Sequence, residues 1–498
     1  MNVNPITRLD YPDPDVIRVE DTYYMVSTTM HFMPGCEILQ SFDLVHWEHA
    51  TYVYETLDHT DAQQLKSGQN IYGQGMWAAS LRYHEGRFYI CFVANDTRKT
   101  YLYTSEKIDG PWKKQLIEGF YHDGSLLFDE DGRNYIVYGN DEIWITELNE
   151  DLTAPKKDGL HRLLVSDHKN PELGYEGSHI QKINGYYYIF LIHSLRDRWM
   201  RTEACFYSDS LEGEFTGGDV LCDDRGYCGQ GVAQGGIVDT PDGKWYAMLF
   251  QDSGAVGRIP ILLPVTWKDH FPVFGQNGHV PEEIEVHSTR PGYIYQPLVG
   301  SDDFCNGLLP RWQFNHDPDP RYYHLDALQG TYTITTREVC TELTQAVNTL
   351  TQRMSYPSCA AEVTVDASAL KEGDVAGLCA LQSCYAAVGI TKHHGKYEVL
   401  MLDKKEDGIL DMTERTVVES HQMDFRLEAD FCNMKDEARC YYRVNKGDWL
   451  PIGTVHKLYF KLDHFTGCRF GLFCYAAEET GGSACFRDFK YYDVDEIS

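Results

Sequence analysis

At 498 residues, with 42 glycines and 19 prolines, the chain is longer than one ordinary domain of about 150 residues. Its 44 Lys plus Arg stand against 75 Asp plus Glu, a formal charge of -31, so there is no basic surface to neutralise phosphates and a nucleic-acid partner is not expected. The longest apolar runs, such as Tyr186 to Ile192 and Ile259 to Val265, fall short of the about 18 to 20 residues that span a bilayer, so no membrane partner is expected either.

The N-terminus, Met1-Asn2-Val3-Asn4-Pro5-Ile6, lacks the basic head and apolar stretch of a secretory leader, and a cytoplasmic location is expected. The 15 cysteines are odd in number, irregularly spaced and without a Cys-x-x-Cys. They are read as mostly reduced, buried thiols.

In chain order, one element recurs: a turn, an aromatic pair and an apolar strand. It is seen at Glu20-Asp21-Thr22-Tyr23-Tyr24-Met25, Glu85-Gly86-Arg87-Phe88-Tyr89-Ile90 and Asp131-Gly132-Arg133-Asn134-Tyr135-Ile136. Two more copies are Asn184-Gly185-Tyr186-Tyr187-Tyr188-Ile189 and Asp242-Gly243-Lys244-Trp245-Tyr246-Ala247. Each continues into a further strand and turn, as in Tyr101-Leu102-Tyr103-Thr104-Ser105 and Ala204-Cys205-Phe206-Tyr207-Ser208. Units of about four strands repeated radially predict a β-propeller, in which ring closure removes exposed sheet edges. Five blades are expected, within a first domain of residues 1–300.

After Arg290-Pro291-Gly292 the repeat stops, and Gln296 to Phe304 reads as a connector. Residues 301–498 alternate apolar and polar positions in short runs, as in Ala361-Glu362-Val363-Thr364-Val365 and Tyr397-Glu398-Val399-Leu400-Met401-Leu402. This predicts a single β-sandwich and an all-β chain.

Equivalent positions of successive inner strands converge on a propeller's channel. The positions ahead of the marker tyrosines Tyr24, Tyr89, Tyr135, Tyr188 and Tyr246 are Asp13, Trp77, Asp123, Glu176 and Gln234. Each acid alone has a bland reading as turn chemistry or a solvated charge. Together, carboxylates at one level of a narrow channel raise one another's pKa, an arrangement that persists mainly where it is used. One protonated and one ionised carboxyl across a pocket suit glycoside hydrolysis, with the third tuning the acid. Calcium binding is the competing use, but the chain has no EF-hand loop and no His-Glu-x-x-His.

At these residues the sequence resembles glycoside hydrolase family 43, in its two-domain β-xylosidase and α-L-arabinofuranosidase branch. The likeness rests on Asn4-Pro5-Ile6 with Tyr11-Pro12-Asp13-Pro14-Asp15-Val16, on Ser41-Phe42-Asp43-Leu44-Val45-His46-Trp47, and on Met76-Trp77-Ala78. It extends through Asp123-Gly124-Ser125-Leu126-Leu127-Phe128, Tyr175-Glu176-Gly177-Ser178-His179 and Gly257-Arg258. The resemblance implies a five-bladed propeller followed by a concanavalin-like β-sandwich that packs on the propeller and helps close its pocket. It implies Asp13 as general base, Asp123 as modulator of the acid and Glu176 as general acid. Inversion would then proceed with base and acid about 6.5 to 9.5 Å apart.

Arg258 falls where the family places an arginine near substrate, although a surface salt bridge is its bland reading. Trp77 is expected to stack on a sugar ring, or else to pack in the core, and Phe32 to form a further apolar wall. Many relatives have a histidine, sometimes beside a calcium or water cluster, where this chain has Gln234. The glutamine can bond a water or sugar hydroxyl, and it leaves a structural calcium disfavoured; no cofactor is required. The expected partner is an oligosaccharide, and a homo-oligomer is left open. The expected activity is release of terminal xylose from β-1,4-xylo-oligosaccharides. The alternatives are α-L-arabinofuranosidase action, both activities, or a carbohydrate-binding protein without catalysis.

Overall fold

The computed structural model describes residues 3–493. Residues 1, 2 and 494–498, which belong to the two expected domain ranges and in part to the leader reading, lie outside the described residues.

Five four-stranded antiparallel sheets form the propeller. Their innermost strands are Asp15–Val19, Met76–His84, Ser125–Phe128, Glu176–Ile183 and Ala233–Asp239. The marker tyrosines sit on the second strand of each sheet, paired to the inner one; Ile17 is opposite Tyr24 and Leu127 opposite Tyr135. The connecting turns explain the recurring residue pairs. Asn184 and Gly185 have φ of 51° and 85°, the left-handed pair of a type I′ hairpin turn, which Asn-Gly adopts at least cost.

Between consecutive blades the apolar faces of facing sheets interlock. Ile38, Leu81 and Ile90 fill the first interface, Cys91, Leu102 and Ile136 the second, and Val137, Ile145 and Ile189 the third. Phe190, Ile237 and Ile261 fill the fourth, and Met25, Met248 and Leu262 close the ring between the last blade and the first. Burying each such side chain contributes about 1.5–3 kcal/mol before chain entropy is counted. The N-terminal segment fastens this closure. Ile6 N–H donates to Pro260 O (2.8 Å), and the Asn4 amide exchanges two hydrogen bonds with Leu262 (2.7 and 2.8 Å).

The rest of the chain forms a two-sheet sandwich of eight and seven strands. One strand of the larger sheet, Phe32–Met33, is lent by the first blade and pairs with Gln313–Asn315. Next to it, Arg353 of the sandwich reaches into the propeller. Its guanidinium lies 4.0 Å from the Tyr11 ring centroid and bonds Glu37 at 2.8 Å, with both charges buried. The two units therefore share a sheet edge and a buried ion pair.

All 15 cysteines are free thiols and ten are buried. No helix among the described residues is long and apolar enough to cross a membrane.

Candidate active site

At one mouth of the channel lies a cavity of about 260 Å³ whose lining includes Asp13, Trp77, Asp123, Glu176, Gln234 and Arg258. The backbone explains why these side chains meet. The inner strands of the second, fourth and fifth blades begin with bulges, at Met76/Ala79, Glu176/His179 and Ala233/Gly236. A bulge re-aims the side chain at the strand start. In the first and third blades the acid precedes the strand, with Asp13 at φ 52° and Asp123 at φ 48°. That left-handed backbone is tolerated by Asp more readily than by most residues.

Asp13 is almost fully buried, and both its oxygens are engaged. Oδ1 accepts from Arg258 Nη1 (2.9 Å) and Oδ2 from the Thr28 hydroxyl (2.6 Å). Arg258, only 2% exposed, keeps Nε and Nη2 without a protein partner. Those are donors that a sugar hydroxyl can satisfy. Asp123 Oδ2 accepts from the Gly177 N–H at 2.9 Å. Burial lifts the Asp123 carboxyl to about 6, with Glu176 and Asp13 adding to the rise while the His122 charge and the Gly177 N–H oppose it. Glu176 is more open than the two aspartates and accepts from the Asn140 amide at 2.8 Å.

The cavity's other wall comes from the second unit. Phe465 and Leu462, on a loop of the sandwich, line it together with Trp77 and Trp199 of the propeller. The loop is tied down by Asp10, whose Oδ1 accepts from Arg258 N–H (2.7 Å) and Oδ2 from Gly467 N–H (2.8 Å). Gly467 has no side chain for a reason: a Cβ there would stand 2.1 Å from Val256 O.

The structure thus gathers Asp13, Asp123, Glu176, Trp77, Arg258 and Gln234 into one cavity. Phe32 is the correction. It does not line the cavity; its ring is buried under the Arg469 guanidinium (3.4 Å), because its strand is committed to the sandwich sheet. Sequence reasoning assigned no part to His122, Trp199, Leu462 and Phe465. His122 directly precedes Asp123 in the chain, whereas Phe465 is brought in by docking of a separate unit and carries no local signal.

A larger hollow of about 420 Å³ opens at the opposite mouth. Its cations Arg18, Arg82 and Lys182 are already paired with Asp239, Asp15 and Asp129. The channel residues also do not fit a calcium. Arg82 bonds Asp15 Oδ2 (2.8 Å) and Ser125 Oγ (2.7 Å), so a guanidinium fills the place of a cation, and His179 Nδ1 meets Asp15 Oδ1 at 3.1 Å. Burial opposes ionisation of Asp15, but Arg82 and His179 outweigh it and hold its carboxyl below the usual value. Among the described residues the one grouping of metal-binding residue types is His122, Asp123 and Glu176. The carboxylates, Asp123 foremost, raise His122 to about 9 against the effect of burial, so a metal bound there would have to displace its proton.

A cavity with three carboxylates, an arginine with free donors and aromatic walls is the equipment of an enzyme that cleaves glycosidic bonds. The sequence model described as Glycosyl hydrolases family 43 matches residues 3–272, and the chain belongs to that family of glycoside hydrolases. The model described as Beta xylosidase C-terminal Concanavalin A-like domain matches residues 301–492. The chain is 27% identical to a Formosa agariphila β-xylosidase, over 99% of this chain and 89% of that protein. It is 24% identical to a Bacteroides ovatus non-reducing end α-L-arabinofuranosidase, over 82% of this chain and 79% of the relative. A solved structure described as bifunctional GH43-CE from Bacteroides eggerthii is 42% identical with a TM-score of 0.92. It covers 99% of this chain, which spans 63% of that protein's length.

Proposed function

We propose that this glycoside hydrolase is an inverting, exo-acting β-xylosidase that releases terminal xylose from β-1,4-xylo-oligosaccharides. The reading rests on one observation: three carboxylates share a small cavity that a second unit walls on one side, a shape suited to a chain end. Asp13 is the general base. Arg258 and the Thr28 hydroxyl hold it in place, and its carboxylate takes a proton from the water that attacks the anomeric carbon. Glu176 is the general acid and delivers a proton to the departing glycosidic oxygen, while Asp123 sets the acid's proton affinity. Trp77 and Phe465 offer apolar faces to the sugar ring, and the free donors of Arg258 and the Gln234 amide meet its hydroxyls.

No step uses a metal or an organic cofactor, and the free thiols support a reducing, cytoplasmic setting. The resemblance to an α-L-arabinofuranosidase favours a second reading, removal of arabinose side chains, in which the same three acids serve a differently walled pocket. Time-resolved proton NMR with xylobiose and with an arabinose-decorated xylo-oligosaccharide separates the two. Initial release of α-xylose from the β-linked disaccharide is the expected result. Initial β-xylose overturns inversion, and arabinose alone moves the enzyme to the second reading.

A further inference from the structure

Between the two carboxyls assigned above as modulator and acid stands an imidazole that the mechanism leaves without a task. His122 Nε2 lies 3.5 Å from Asp123 Oδ2 and 3.7 Å from Glu176 Oε2. The atom is buried and makes no hydrogen bond. The ring is held edge-on to Trp77, centroids 5.7 Å apart.

The neighbouring charges set the field it feels. Asp123 comes from its own loop, Glu176 from the next blade and Asp13 from across the mouth. The two cations of the cavity are engaged elsewhere, Arg258 with Asp13 and Arg201 with Asp252. His122 is thus the cation placed between Asp123 and Glu176.

Two close carboxyls that share a proton divide it according to their surroundings. Here burial works in the wrong direction for catalysis. Asp123 is more deeply buried than Glu176, so without compensation it competes for the proton that the acid must hold. A cation at 3.5 Å acts most strongly on the partner with the least water around it. The Asn140 amide donates to Glu176 Oε2, which leaves Oε1 as the oxygen to carry a proton.

We propose that His122 is a positioning residue: its imidazolium keeps Asp123 as the carboxylate, so that the shared proton resides on Glu176. The proposal rests on the assignment of Glu176 as acid, and it is tested by a measurement that does not depend on turnover. The full chain is labelled with aspartate carrying carbonyl-13C at the side chain, the Asp123 resonance is identified by its loss in Asp123→Asn, and its titration is followed in the wild type and in His122→Gln. Glutamine retains a polar group and removes the charge. The Asp123 midpoint is expected to rise by about 1 pH unit or more, as when an opposite charge within about 4–6 Å is lost. The acid limb of kcat/KM on xylobiose should move up with it, while KM changes less than kcat. An unmoved Asp123 midpoint in His122→Gln overturns the proposal even in an active enzyme. If the protein instead fails to hydrolyse any xyloside while the midpoint still shifts, the charge relationship stands and the β-xylosidase reading falls.

Discussion

The ring of Phe465, carried by the sandwich, lies 4.3 Å from the guanidinium carbon of Arg258, carried by the last blade. The same guanidinium bonds Asp13 at 2.9 Å. The accessory unit therefore stacks on the group that holds the proposed base, and Asp10 locks both sides through the backbones of Arg258 and Gly467.

Phe465→Ala should lower kcat/KM on xylobiose by about tenfold, in line with a desolvated cation–π contact of about 1–2 kcal/mol. Opening that wall should also lessen the preference for short substrates. Steady-state kinetics on xylobiose and xylotetraose, with a thermal melt to verify folding, checks this. An unchanged length profile would show that the loop does not delimit the pocket.

Glu176→Ala should lose about 10²- to 10⁴-fold on xylobiose, the usual range for a general acid. It should lose far less on an aryl xyloside whose leaving group needs no protonation. Asp13→Asn should lose activity on both, because attack by water is common to them. Rescue of Asp13→Asn by azide with retained configuration would instead assign a nucleophile to that side.

Stability should fall as the pH drops below about 6.5, the ordinary histidine value. Three rings where the units meet are responsible. Tyr72 stacks on His464 with centroids 3.8 Å apart, and His31 packs 4.8 Å from His316. Burial lowers all three histidines, His464 to about 3, and neighbouring positive groups add to the effect. The folded state thus leaves them neutral while the unfolded chain takes up protons. Stability from this source is complete above the unfolded value, and each ring loses about 1.4 kcal/mol per pH unit below it. Urea unfolding at pH 7 and pH 5.5 should show the decline, and His464→Phe should reduce its slope by close to one proton.

Arg353→Ala should destabilise the chain by about 3–5 kcal/mol, the cost of stranding a buried charge. Glu37, also bonded to His49, would lose its main counter-charge. Burial opposes ionisation of Glu37, but Arg353 first and His49 after it hold its carboxyl down to about 2. Arg353→Ala combined with Glu37→Gln should recover part of the loss in denaturant titration, since no unpaired charge then remains.

The linear chain carried the repeat and with it the propeller. Local turn chemistry such as Asn184-Gly185 and the recurring aromatic pairs are properties of short segments, and a ring of equal units follows from them. The positions of Asp13, Asp123 and Glu176 were legible for the same reason, because repetition sends equivalent residues to one mouth. Tertiary structure alone decided which neighbours those acids meet. Phe465 reaches Arg258 from a separate unit, about two hundred residues further along the chain and in no visible pattern with it, and Phe32 is turned from the pocket because its backbone hydrogen bonds are satisfied by a sandwich strand. His122 was in plain view beside Asp123, but its charge depends on three carboxylates from separate blades. Local propensity is written in neighbouring residues, whereas electrostatics and domain docking act through space, where sequence distance has no meaning.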